Sequence, residues 1–240
     1  MLKRTSAHGF TFLFYPRFMR DHRIMLKTAL FVSFIVTLLP CYAAGECLYG
    51  NCVNGIGTFA SPNGTRYTGR FMAGKYHGLG TVTYADGAEY TGEFRNGRFS
   101  GKGTIILSNG KKYEGQWQAG RRHGRGALLY PNGIRYEGDW REGKRHGHGT
   151  LTYPEGEVYS GLWYDGAPEG EGTMSYPDGR KYVGHFKNGK FNGHGTMDYP
   201  NGERYNGQWA DGAPNGQGEI TLPDGRILSG TFKDGKHISP

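Results

Sequence analysis

From residue 47 onward, apolar and polar positions alternate with period two in short bursts, the pattern of half-buried β-strands. Tyr113, Gly115 and Trp117 share one side of such a burst, and Glu114 and Gln116 take the other. The following burst brings Gly126, Leu128 and Tyr130 together. Pro-Asn-Gly or Pro-Asp-Gly separates bursts at 62–64, 131–133, 177–179, 200–202 and 223–225. Proline presets φ at the first turn position, Asn or Asp suits the next, and glycine takes the left-handed position that closes a hairpin. A second turn, read as looser, carries Gly74, Gly97, Gly120, Gly143, Gly166, Gly189 and Gly212. Each pair of strands is then a β-hairpin chained to the next by another hairpin, and nothing after residue 45 reads as a helix.

The unit recurs. Tyr67-Thr-Gly-Arg-Phe71 returns at Tyr90, Tyr113, Tyr136, Tyr159, Tyr182 and Tyr205, always 23 residues on, and degenerates at Leu228. Seven full repeats fill 67–227, with a half repeat before them and another, with a short tail, at 228–240. An apolar column runs through Val82, Ile105, Leu128, Leu151, Met174, Met197 and Ile220. Beside it run Phe71, Phe94, Trp117, Trp140, Trp163, Phe186, Trp209 and Phe232, which include all 4 tryptophans. Two strands per full repeat and one per half predict 16 strands. The expected fold is all-β: an elongated, twisted antiparallel sheet of tandem hairpins in which every contact is to a neighbour. A single-layer sheet must cover its apolar face by its own curl, by a second copy or by a ligand.

Composition agrees. The 43 glycines among 240 residues follow the period, five to a full repeat, and not the every-third spacing of collagen. Aromatic residues at 14% exclude an intrinsically disordered chain. A mean hydropathy of −0.65 excludes a polytopic membrane protein.

The front of the chain differs. Residues 29–39 form an apolar run of 11, the length of a signal-peptide core, where a spanning helix needs about 20. Lys27 precedes it, and Ala43-Ala44-Gly45 follows as a cleavage region. Met25 opens a complete signal peptide by itself, so residues 1–24 are a long leading segment or an over-extended start. Segment 1–43 is expected to be removed, leaving an exported chain that begins near Ala44 and is periplasmic, secreted or envelope-associated. The alternative is an uncleaved anchor. Pro40 argues against a lipid anchor on Cys41. Removal takes the net charge from +8 to +3, because 1–43 holds six Lys/Arg against Asp21. Cys47 and Cys52 remain in the cap at 44–66. An even, closely spaced pair in an exported chain reads as a disulfide, with two free thiols as the alternative.

The unit Tyr-x-Gly-x-Trp-x-x-Gly-x-x-His-Gly-x-Gly-x-x-x-Tyr-Pro-x-Gly resembles the MORN repeat (membrane occupation and recognition nexus), over about residues 47–236. The resemblance implies rod-like hairpin arrays used for protein interaction, dimerisation and membrane contact. Some such arrays sit beside a catalytic domain, for which this chain has no room. Ser100, Glu169, Asn192 and Asn215 depart from the usual histidine, and Leu107 and Leu222 from the second tyrosine.

Charge is uneven. Residues 95–145 hold 12 Lys/Arg against 4 acids, and residues 146–240 hold 8 against 12. Arg121, Arg122, Arg125, Arg141, Lys144 and Arg145 are expected to form a basic stripe that contacts an anionic surface. The plain alternative is solvated turn charge. Trp117, Trp140, Trp163, Trp209, Tyr113, Tyr136 and Tyr159 are either cross-strand packing or a candidate aromatic binding face. His123 and His146 are about 10 Å apart at two strand spacings, too far to share a metal. No Walker loop, Gly-x-Ser-x-Gly or His-Glu-x-x-His occurs, so no enzyme, cofactor or metal is expected. Nucleic acid is not indicated by a net +3. Two functions follow. The first is a protein-interaction scaffold, with an unidentified partner or a second copy of itself. The second is peripheral binding to anionic lipid or envelope surfaces.

Overall fold

The computed structural model describes residues 45–239, so the expected leader lies outside the described residues. These residues fall into two units, 45–154 and 155–239. The first holds β1 (Glu46–Gly50), β2 (Gly55–Ala60), β3 (Arg66–Met72), β4 (Lys75–Thr83), β5 (Glu89–Arg95), β6 (Arg98–Ile106), β7 (Lys112–Gln118), β8 (Arg121–Leu129), β9 (Arg135–Arg141) and β10 (Lys144–Thr152). The second holds β11 (Val158–Tyr164), β12 (Ala167–Ser175), β13 (Lys181–Lys187), β14 (Lys190–Asp198), β15 (Arg204–Ala210), β16 (Ala213–Thr221), β17 (Ile227–Lys233) and β18 (Lys236–Ser239). Within each unit every strand pairs antiparallel with its neighbours in sequence. The described residues thus contain 18 strands and not the expected 16, because each half repeat supplies a complete hairpin. At the front, β1 pairs with β2, and a Cys47–Cys52 disulfide with Cα atoms 6.0 Å apart closes the cap.

The apolar face is covered by the chain itself. Tyr67, Tyr90, Tyr136, Tyr159, Tyr182 and Tyr205 are 0% exposed, and the Phe/Trp column from Phe71 to Phe232 is buried throughout. Within each unit the tyrosine ring meets its own repeat's large ring, and Tyr67, Tyr90, Tyr113, Tyr159, Tyr182 and Tyr205 also meet that of the next. Tyr113, for example, makes edge contacts with Trp117 at 5.0 Å and Trp140 at 5.2 Å. Such pairs add about 0.5–1.5 kcal/mol each beyond area burial. The tyrosine hydroxyl donates to the carbonyl three residues on, as Tyr113 to Gln116 at 2.9 Å, so the ring lies flat on the sheet. Only glycine leaves room beneath it, which explains the facing pair Gly115 and Gly126. Tryptophan Nε1 ties repeats together: Trp117 donates to the Gly103 carbonyl at 3.1 Å and Trp140 to Gly126 at 3.0 Å.

The turn expected to be loose is the tighter one. Strands β3 and β4 are joined by Ala73-Gly74 alone, with φ of 49° and 68°. Positive φ at both positions defines a type I′ turn, whose twist matches that of the strands it joins. The same geometry returns at Asn96-Gly97, Ala119-Gly120 and Glu142-Gly143. Each such turn docks on the preceding repeat, as Gly97 N donates to Tyr76 O at 2.9 Å and Gly143 N to Arg122 O at 2.9 Å. The Pro-x-Gly turns are the longer kind. Gly133 N donates to Tyr130 O and Tyr130 N to Ile134 O, closing a type I turn with Gly133 at φ 85°.

One irregularity sets which residues face out. In β8, Gly126 faces Gly115 and Arg122 faces Trp117, so three residues oppose Gln116 alone. Gly124 takes φ 58° in this bulge, and Gln116 Oε1 accepts from Arg125 N at 2.8 Å. The bulge adds two residues, so the parity of the strand is kept beyond it.

Candidate binding surface

The seven residues expected as an aromatic binding face are core. Trp117 is 7% exposed, Trp140 4%, Trp163 and Trp209 2%, and Tyr113, Tyr136 and Tyr159 at most 1%. They hold the hairpins together and present no open groove in this structure. Burial raises the hydroxyl pKa values of Tyr113 and Tyr136, and pushes that of Tyr67 up to about 12.

The expected basic stripe divides in two. Arg122 and Arg145 turn inward, because they occupy the strand position held by Tyr76 and Phe99 in earlier repeats. Tyr76 stacks on Tyr67 at 3.8 Å and Phe99 on Tyr90 at 3.7 Å. Arg122 instead lays its guanidinium 4.2 Å from the Trp140 ring centre and 5.7 Å from that of Tyr113. Its Nη2 donates to Gly143 O at 2.7 Å, while Nε is buried without a partner. Burial, with Arg145 adding to it, pushes the guanidinium pKa down to about 10. Arg145 sits 5.5 Å over Tyr136. Of the outward residues, Arg125 pairs with Asp139 at 2.9 Å and Arg121 with Glu142 at 3.8 Å. Arg141 and Lys144 are exposed and flank the Glu142-Gly143 turn.

A different outward row flanks the tight turns. The residues on either side of each type I′ turn face one another across the hairpin on the exposed side. In the first unit they are Met72 and Lys75, Arg95 and Arg98, Gln118 and Arg121, and Arg141 and Lys144. Lys75, Arg95, Arg98 and Arg141 have no ion pair among the described residues. Like charges placed opposite one another cost stability, and Arg95 against Arg98 and Arg141 against Lys144 are such pairs. In the second unit the same positions hold Tyr164 and Ala167, Lys187 and Lys190, Ala210 and Ala213, and Lys233 and Lys236, and Lys190 is paired with Asp211 at 2.9 Å. Lys75, Arg95 and Arg98 were not singled out from the sequence, although a simple signal was present. The residue after the turn glycine is basic at Lys75, Arg98, Arg121 and Lys144.

Beside this row lies a cavity of about 470 Å³ lined by Lys75, Arg95, Asn96, Arg98, Ser100 and Gln118, with Phe99 and Ala119 completing the wall. No carboxylate lines it. Among the described residues no three His, Cys, Asp or Glu side chains gather in a way that could hold a metal.

A MORN repeat family model matches residues 67–89, 90–112, 113–135, 136–158, 159–179, 182–204 and 205–225, well over half of the chain. The chain belongs to the MORN repeat family. No curated protein matches it. Among solved structures, it is similar to the TCP domain of SAS-4 (dCPAP) of Drosophila melanogaster, in complex with a proline-rich motif of Ana2 (dSTIL). The identity is 12% and the TM-score 0.34, covering 78% of this chain and 90% of that one. The TCP10c domain of Drosophila melanogaster Sas-4 matches at 14% identity and TM-score 0.36, over 79% and 100%. Virginiamycin B lyase from Staphylococcus aureus matches at 10% and 0.20, over 79% and 88%. Likenesses this weak carry no argument about activity or partners. MORN repeats commonly bind membranes or proteins, and that is the level at which the family speaks for this chain.

Proposed function

We propose that this MORN protein is a non-catalytic module of an exported compartment that docks peripherally on anionic lipid or envelope surfaces. The observation that carries the reading is the outward row Lys75, Arg95, Arg98 and Arg141, four cations without a described ion pair on one exposed side. Each basic residue near an anionic surface contributes about 1 kcal/mol, and the attraction is screened by salt. The test is co-sedimentation of the chain from Ala44 onward with anionic and neutral vesicles at low and high salt. Pelleting is expected only with anionic vesicles at low salt, and is expected to fall with Arg141→Glu and Lys144→Glu together. Pelleting that ignores salt and those reversals would overturn the reading.

A protein-scaffold function is supported by one other feature. Leu48, Tyr49, Val53 and Ile56 are exposed together at the cap, at 45%, 78%, 58% and 69%. Exposed apolar residues gathered at one place mark interaction sites. Sedimentation velocity across protein concentration tests the case in which the partner is a second copy. A concentration-dependent dimer lost in Tyr49→Ser with Ile56→Ser supports it, and a monomer throughout removes it.

A further inference from the structure

The cavity beside the Asn96-Gly97 turn is a place where the repeat breaks its own pattern. In the flanking repeats the corresponding position holds His77 and His123; here it holds Ser100, the smaller side chain. The adjoining turn offers Ala119 where the next one has Glu142, and the nearby carboxylate of Glu93, register partner of Ser100, is held by Lys102 N at 2.9 Å. The residues that line it are instead two arginines, one lysine, two carboxamide residues and a serine, with the buried Phe99. Arg95 and Arg98 are register partners, like charges whose repulsion an anion between or beside them would relieve. Guanidinium forks match phosphate oxygens in pairs. Amides and a hydroxyl match the hydroxyl groups of a sugar. At about 470 Å³ the space suits a ring-sized molecule, since small-ligand sites run from about 300 to 1,000 Å³.

We propose that this cavity binds a sugar phosphate, with Arg95, Arg98 and Lys75 on the phosphate and Asn96, Ser100 and Gln118 on the sugar hydroxyls. The proposal rests on the anion-docking reading only for the sign of the charge, and it can fail or stand separately. The experiment is calorimetric titration of the full chain with glucose 6-phosphate, glucose and inorganic phosphate. Glucose 6-phosphate is expected to bind at least tenfold more tightly than either of the others. Ser100→His, which installs the side chain of the flanking repeats, is expected to weaken it at least tenfold while leaving vesicle pelleting unchanged. Arg98→Gln is the second variant, with the same expected loss. Arg141→Glu with Lys144→Glu is expected to lower pelleting and spare the sugar phosphate. A second arm uses vesicles carrying a glycosyl phosphate headgroup. Tighter binding to them than to the free sugar assigns a surface-borne ligand, and the reverse a soluble one. Equal binding of glucose 6-phosphate and inorganic phosphate, or binding indifferent to both Ser100→His and Arg98→Gln, would overturn the proposal.

Discussion

The ring of Tyr136 lies flat over Gly149 on the neighbouring strand, so close that a Cβ at that glycine would stand 2.6 Å from Tyr136 Cε2. On the facing strand, a Cβ at Gly138 would meet the backbone of His148 and Gly149 as well as the Tyr136 hydroxyl. Gly149→Ala is therefore expected to destabilise the fold by about 1–3 kcal/mol, the usual cost of overpacking. Denaturant melts check this. Combining it with Tyr136→Leu is expected to cost less than the two single changes added together, because the clash has lost its partner. Strict additivity would mean that the glycine is required for some other reason.

Ala73 holds φ at 49° in a two-residue turn, a left-handed conformation that side chains with a Cβ adopt at a cost of about 1–2 kcal/mol. Asn96 occupies the same place one repeat later at φ 51°. Asparagine tolerates this region. Ala73→Asn is expected to raise the unfolding midpoint by the equivalent of about 0.5–1 kcal/mol. An unchanged or lowered midpoint would show that the turn is not under strain there.

Arg122 stands in a column of rings, and three features of its setting pull in different directions. Its contacts with Trp140 and Tyr113 and its hydrogen bond to Gly143 O stabilise it, while the buried, unpartnered Nε does not. Replacing a buried charge by a well-packed apolar group is often neutral or stabilising by about 1–4 kcal/mol. Arg122→Phe, which copies Phe99, is therefore expected to leave stability unchanged or raised. Arg122→Ala leaves a hole and is expected to cost about 2–4 kcal/mol. Thermal melts of the two variants decide it. A loss with phenylalanine as large as that with alanine would show that the arginine's hydrogen bond, and not its volume, holds the column.

Arg122 also shows where the sequence stops being legible. The fold was readable because Tyr, Gly and Trp recur in fixed register at positions that all face inward, as Tyr113, Gly115 and Trp117 do. The disposition of the arginines was not, because Arg121 and Arg122 are adjacent in sequence and the strand sends them to opposite faces. A count of basic residues merges the two. The turn at Ala73-Gly74 carries no proline or asparagine to mark it as tight, and its length is legible from the equivalent Asn96-Gly97 and Asn188-Gly189 turns and from the pairing of Met72 with Lys75. Closure of the aromatic face depends on how far the sheet curls, and alternation alone does not measure curl. The cavity depends on what Ser100 lacks relative to His77 and His123, a difference that becomes a space only in three dimensions.

The buried tyrosines make stability depend on alkaline pH. Burial pushes the hydroxyls of Tyr67 and Tyr205 up to about 12 from 10.0, and raises those of Tyr90, Tyr113, Tyr136 and Tyr182 as well. A phenol whose folded pKa lies above its unfolded value keeps its proton longer in the native chain, so the native state binds more protons within that window. The contribution is fully present below pH 10.0, where both states are protonated, and is lost as pH rises through about 12. Thermal unfolding should accordingly be nearly flat from neutral pH to about pH 9 and fall steadily above about pH 10. Tyrosinate absorbance should rise together with the loss of ordered structure, because ionisation requires the rings to leave the sheet. Smooth ionisation near pH 10 in a chain that stays folded would show that the hydroxyls reach solvent without unfolding, and that the rings are not the closed core described above.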